Sequence, residues 1–206
     1  MGRRAFADGN SAVIVPNGNC RNTPVEVFET RYPFLTHTYR LMPDSSGSGA
    51  HRGGLGIQRV IEVLPPAEIT VSAVFERLKV SPWGLFGGGP ANHAAILVKK
   101  RGDSAFRTFK EVYHTTSPAK FANRVVSPGD QILLQAPGGG GYGDPLERPP
   151  EAVVRDIDQG LISADGGRAG YGVATRTERG RPALDPEGTA GLRAGMRATR
   201  AGARSP

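Results

Sequence analysis

Apolar and polar residues alternate with a period of two in several short stretches of this chain. In Glu68–Glu76, Ile69, Val71, Ala73 and Phe75 share one face, which predicts a half-buried strand. Compact apolar runs bounded by turn residues predict further strands over 11–15, 25–28, 34–41, 57–64, 94–100 and 131–136. Pro16-Asn17-Gly18-Asn19, Pro65-Pro66 and Arg101-Gly102-Asp103 punctuate these runs, and Ser127-Pro128-Gly129-Asp130 suits a type II turn. The pattern changes after Pro150. Val153, Val154, Ile157 and Leu161 lie at helical spacing, with two prolines ahead and Glu151 in the first turn. Gly160 either ends that helix or weakens it. Gly166 and Gly167 each cost about 1 kcal/mol in a helix interior, so the next turn is expected to form poorly. Beyond Val173 little apolar content remains. The pattern predicts a mainly β (α+β) fold: a multi-stranded β core with glycine-rich loops over 1–148, a helical segment over 149–173, and a flexible basic tail over 174–206.

Composition sharpens this picture. The chain has 206 residues, with 29 glycines and 17 prolines punctuating apolar runs, which reads as many turns rather than disorder. Cys20 is the only cysteine, so no internal disulfide framework exists; a buried or incidental thiol and a nucleophile are its two readings. No apolar run approaches the roughly 18 residues of a membrane span, and the N-terminal Met-Gly-Arg-Arg leads into no apolar signal stretch. A soluble, cytoplasmic protein with no membrane contact is expected. Of the net charge of +7, residues 174–206 carry seven arginines against three acids. No aromatic residue is interleaved there for base stacking, so no nucleic-acid partner is expected.

Several stretches carry candidate chemistry. Five glycines stand among residues 138–143, followed by Asp144-Pro145. Gly138-x-Gly140-x-x-Gly143 matches the dinucleotide fingerprint formally, but no helix opens directly after it, and no Lys-Ser or Lys-Thr pair makes a P-loop. Gly138, Gly139, Gly140 and Gly141, with Tyr142, can aim backbone N–H groups at an anion or let two backbones approach closely. Arg52, between flexible glycines that include Gly53 and Gly54, can clamp a carboxylate or phosphate, or pair with a nearby acid. Asn22 lies in a polar stretch with Glu26 and Glu29. On the expected strand these two acids point to opposite faces, which favours ion pairs with Arg21 and Arg31 over acid–base chemistry. His37, His51, His93 and His114 are too dispersed for a local zinc site, so no metal ligand is assigned. Trp83, in the second glycine loop, is expected to anchor packing.

The motifs in order, "NTPVEVFETRYP", "DSSGSGAHRGGLGIQRVIEV", "SPWGLFGGGP", "SPGDQILLQAPGGGGYGDPLERPPEAVVRDIDQGLIS" and "YGV", resemble the C-terminal portion of the hydantoinase B/oxoprolinase family. The likeness runs over about residues 19–173, with an echo at 184–194. It implies ATP-dependent opening of cyclic amides such as hydantoins and 5-oxoproline by the complete enzyme. It also implies a hydantoinase A-like partner subunit to which ATP binds. Carboxylases of acetone and acetophenone are related. A non-catalytic fragment or partner-binding β module is the remaining alternative. Family subunits are longer, and the resemblance places any divalent metal in an N-terminal half not present here. That half is the second expected partner. No catalytic residue carries over.

Overall fold

The computed structural model describes residues 6–13 and 22–202. Its centre is a five-stranded antiparallel sheet built from β1 (Phe34–Leu41), β2 (Ile57–Val63), β4 (Ala95–Lys99), β5 (Arg107–Thr108) and β7 (Gln131–Gln135), in the order β1-β2-β7-β4-β5. A two-stranded ribbon of β3 (Ile69–Val74) and β6 (Lys120–Val126) packs across it. Period-two alternation fixes which side chains meet. Ile61 lies opposite Ile132, and Ile132 opposite Val98, so one sheet face is continuously apolar. That face and the ribbon enclose Val63, Val98, Phe109 and Val126, all fully buried. Phe109 opens α2 (Phe109–Tyr113), stacks on Phe121 at 4.2 Å between ring centroids, and follows a capping box between Thr108 and Glu111.

A smaller core lies C-terminal to the sheet. Helices α3 (Pro150–Asp158) and α4 (Ala164–Tyr171) pack with the hairpin β8 (Ala174–Glu178) and β9 (Arg181–Asp185) around Val153, Ile162, Tyr171 and Val173. Gly160, with φ +68°, lies just past the end of α3. The long helix α5 (Pro186–Gly202) follows the hairpin.

The expected strands at 34–41, 57–64, 68–76, 94–100 and 131–136 are present within a residue or two, as is the helix after Pro149. Four local readings are corrected. Residues 25–28 begin α1 (Val25–Arg31), not a strand: Pro24 is compatible with the N-cap position, and Glu26 complements the helix N-terminus. On this helix Glu29 accepts the backbone N–H of Thr36 at 2.6 Å, in place of the expected ion pair with Arg31. Arg21 lies outside the described residues. Of the proposed strand 11–15, Ser11 and Ala12 form a turn, and 14–15 fall outside the described residues with Cys20. Helix α4 does form. Ser163 caps it by accepting from Gly166 N, and a Cβ at Gly166 would displace the Asp44 carboxylate, which accepts from Ser163 N.

The fourth correction concerns the expected loose tail, where 174–202 form β8, β9 and α5; 203–206 lie outside the described residues. The packed face of α5 comprises Thr189, Leu192, Arg193 and Met196, at helical spacing, yet only two of them are apolar. Thr189 Oγ1 accepts from Ala174 N at 3.0 Å, and Arg193 donates to the carbonyls of Tyr171 and Arg148. Polar side chains therefore bind this helix to the body, which hides it from a hydrophobicity pattern.

Candidate functional site

Three glycine-rich segments, 45–56, 84–89 and 138–143, run side by side and bond through their backbones. Gly47 N donates to Gly139 O at 2.9 Å, Gly139 N to Gly54 O at 2.8 Å, Gly141 N to Gly89 O at 2.9 Å, and Leu85 N to Gly141 O at 3.0 Å. Each segment thus supplies the hydrogen bonds that buried backbone requires. The spacing leaves no room for side chains. A Cβ on Gly53, Gly140 or Gly141 would lie within 3.0 Å of a neighbouring carbonyl. Of the two readings left open for the glycines, close backbone packing is the one the geometry displays. The N–H groups of Gly53, Gly139 and Gly141 already donate to carbonyls and that of Gly138 to Asn92 Oδ1, so these four are engaged within the protein.

The glycines leave the bundle few side chains: Ser45, Arg52 and Leu55 are buried in it, and Tyr142, His51 and Phe86 stand at its rim. Tyr142 pairs with His51 through both backbone hydrogen bonds, at 3.0 Å each, and bridges to Leu85 on its other side. Phe86 meets the Tyr142 ring edge-on at 5.2 Å, and three-quarters of Phe86 is exposed. Trp83 is more than half exposed, with Arg77 over its ring, so it is no buried anchor. Its contribution to packing is its carbonyl, which lies against Gly140.

Beneath the bundle lies a buried ionic cluster. Arg148 holds both oxygens of Asp8 at 2.7 Å in a fork, reaches Asp156 Oδ2 at 2.7 Å, and donates to Ala50 O. The Arg52 guanidinium is buried and turned inward. Its Nε stands 3.5 Å from Asp156 Oδ2, and one terminal nitrogen donates to Gly53 O at 2.8 Å. Of the two readings open for Arg52, a clamp on a ligand and a pair with an acid, the arrangement seen is the second: Asp156 faces Nε across an ionic contact that is too long for a hydrogen bond. Burial pushes the Asp8 carboxyl up, but the hydrogen bond and charge of Arg148 outweigh this and hold it below the usual range. Burial raises the neighbouring Tyr171 hydroxyl to about 12, so it stays neutral.

The structure brings Arg52, Gly53, Gly54, Gly138, Gly139, Gly140, Gly141 and Tyr142 together in this one assembly. Asn22 is not part of it; its amide meets the Tyr39 hydroxyl on the edge strand β1. Arg148, Asp8 and Asp156 escape a reading of the sequence. Their separations of 140 and 8 residues leave no local signature. The carboxylates of the cluster face guanidinium groups, so they do not suit a metal ion. Among the described residues no three His, Cys, Asp or Glu side chains converge as ligands. No described helix is long and apolar enough to cross a membrane.

The family model for hydantoinase B/oxoprolinase matches residues 1–145. This chain belongs to that family. It is 34% identical to the B-type subunit of a putative D-/L-hydantoinase from Pseudomonas sp. strain NS671, over 84% of this chain and 27% of that protein. It is 37% identical to the beta subunit of the caprolactamase of Pseudomonas jessenii, over 72% of this chain and 24% of that one. Among solved structures, nucleotide-free acetone carboxylase matches with a TM-score of 0.80 and 26% identity, covering 98% of this chain and 30% of that chain. The ATP-dependent caprolactamase from Pseudomonas jessenii matches with a TM-score of 0.69 and 30% identity, covering 83% of this chain and 28% of that chain. The chain spans between 10% and 29% of the length of the curated relatives it matches.

Proposed function

We propose that this chain forms the C-terminal portion of a hydantoinase B-type subunit in a cytoplasmic enzyme that opens cyclic amides with hydrolysis of ATP. The single observation carrying this reading is the 34–37% identity to hydantoinase and caprolactamase subunits across most of the chain. In this reading ATP binds a hydantoinase A-like partner, and any divalent metal belongs to the remaining portion of the subunit. This chain contributes a rigid wall. The glycine bundle resists deformation because its segments bond backbone to backbone, and the ionic cluster of Arg148, Arg52, Asp8 and Asp156 locks its base. Tyr142, His51 and Phe86 are the side chains the wall presents. They are the groups we assign to contact with the partner portion or the activated ring.

The test reconstitutes the chain with the remaining portion of its own subunit and a hydantoinase A-like partner. ADP release that depends on a hydantoin or 5-oxoproline, with ring-opened product, is the expected result. ADP release without ring opening under any cyclic amide overturns it.

The structural match to acetone carboxylase supports a second reading, ATP-dependent carboxylation of a ketone, because it covers more of the chain than the caprolactamase match does. Ketone-dependent fixation of labelled bicarbonate by the same assembly would select it.

A further inference from the structure

The two layers of the β core are unequal. The main sheet has five strands, while the ribbon across it has two. Among the described residues β3 bonds only to β6, so its other edge is free. Along that edge runs a groove of about 670 Å³. Residues 69–75 form one wall, and Phe34, Ile61, Ile132 and Leu134 of the main sheet form an apolar floor. Free strand edges are commonly blunted by lysine or proline. Ile69–Val74 contains neither, and Val74 is 77% exposed. Six residues of strand offer an edge of about 20 Å. An extended segment laid there would bond its backbone to β3 and turn alternate apolar side chains onto the floor.

We propose that this edge and groove receive an extended segment from the remaining portion of a hydantoinase B-type subunit, which adds a strand to the ribbon. The occupant follows from the comparison with acetone carboxylase. That match takes in 98% of this chain but 30% of the other, so the same fold lies within a much longer polypeptide there. The proposal rests on family membership and is independent of which reaction the assembly performs.

Hydrogen–deuterium exchange read by mass spectrometry tests it. The chain is measured alone and then mixed with the separately expressed remainder of the Pseudomonas jessenii caprolactamase beta chain. Alone, amides within 69–74 exchange faster than those of the central strand β7; equal protection means the edge is already covered and overturns the proposal. With the remainder bound, exchange across 69–74 slows by about tenfold. Binding with protection gained only elsewhere, absence of binding, or protection of 69–74 by self-association overturns it. The variant T70K places a charge on an outward position whose cross-strand neighbour, Val125, is uncharged. It weakens binding by about tenfold and leaves the free chain's melting temperature unchanged. Unaltered binding of that variant counts against the proposal. No turnover is measured, so failure here is distinct from failure of the assigned activity.

Discussion

The glycine bundle and the β sandwich are both well-packed interiors, built on opposite principles. In the sandwich, side chains fill the space: Val63, Val98, Phe109 and Val126 interlock between sheet and ribbon. Stability there comes from apolar surface removed from water, and a similar side chain can serve in place of another. In the bundle it is backbone, rather than side chains, that fills most of the space between the segments. Carbonyls of Ser48, Trp83 and Gly139 occupy the positions where Cβ atoms would stand. The bundle is held by backbone hydrogen bonds and by the absence of bulk, so it specifies glycine at many successive positions while the sandwich specifies only apolar character and volume.

The sharpest break between the two is a single methyl group. Gly140→Ala drives a Cβ into the Trp83 carbonyl, and Gly53→Ala does the same to Gly139. Both neighbours are backbone and cannot rotate aside. Each substitution is expected to destabilise the chain by about 3 kcal/mol or more, or to abolish cooperative unfolding. Urea denaturation followed by circular dichroism checks this. A loss below about 1 kcal/mol would mean that the segments are not in the contact described. In the sandwich, Ile132→Val removes one methylene and is expected to cost only about 0.5–1.5 kcal/mol. The difference between the pair, rather than either value alone, measures the contrast.

Between the two regions stands the ionic cluster, which behaves like neither. Arg148→Met leaves the buried Asp156 and the Asp8 carboxylate without their shared partner, and is expected to cost about 3 kcal/mol. The wild-type cluster also predicts a pH dependence. The folded pKa of Asp8 is depressed below the usual 3.8, so its contribution is present above that value. As pH falls below 3.8 the unfolded chain takes up the proton first, and the contribution is lost as pH passes through the folded pKa. Arg148→Met should flatten this acid limb of the stability profile measured by thermal unfolding. An unchanged slope would remove Arg148 as the partner that matters.

The sequence displays the sandwich better than the bundle, for a physical reason. Ile69, Val71, Ala73 and Phe75 announce a buried face through their period, and the structure places all four in or against the core. The glycines at 53 and 138–141 announce only that something unusual happens to the backbone. Whether they meet an anion or each other depends on segments far apart in sequence. The acid that faces Arg52 is hidden for the same reason: Asp156 lies 104 residues away, and no local pattern links the two. The helix α1 is not legible because Val25, Val27 and Pro24 carry strand-like or helix-breaking preferences, which position and the packing of Phe28 on Phe34 override. The ordered C-terminal hairpin and helix are not legible because Thr189 and Arg193 bind through hydrogen bonds, which leave no apolar period.

The last expected effect completes the comparison by reversing its sign. Glycine is not required everywhere in this chain. Gly191 lies inside α5, and a Cβ built there meets nothing within 4 Å. Here glycine supplies no close approach and only adds conformational freedom to the unfolded chain. Gly191→Ala is therefore expected to stabilise the protein by about 1 kcal/mol, the usual difference between the two residues in a helix interior. The measurement is the same denaturation curve used for Gly140→Ala, and opposite signs are the required outcome. If both alanines destabilise, steric exclusion is not what distinguishes the bundle. If both are neutral, the three glycine segments do not pack against one another, and the wall assigned to them does not exist.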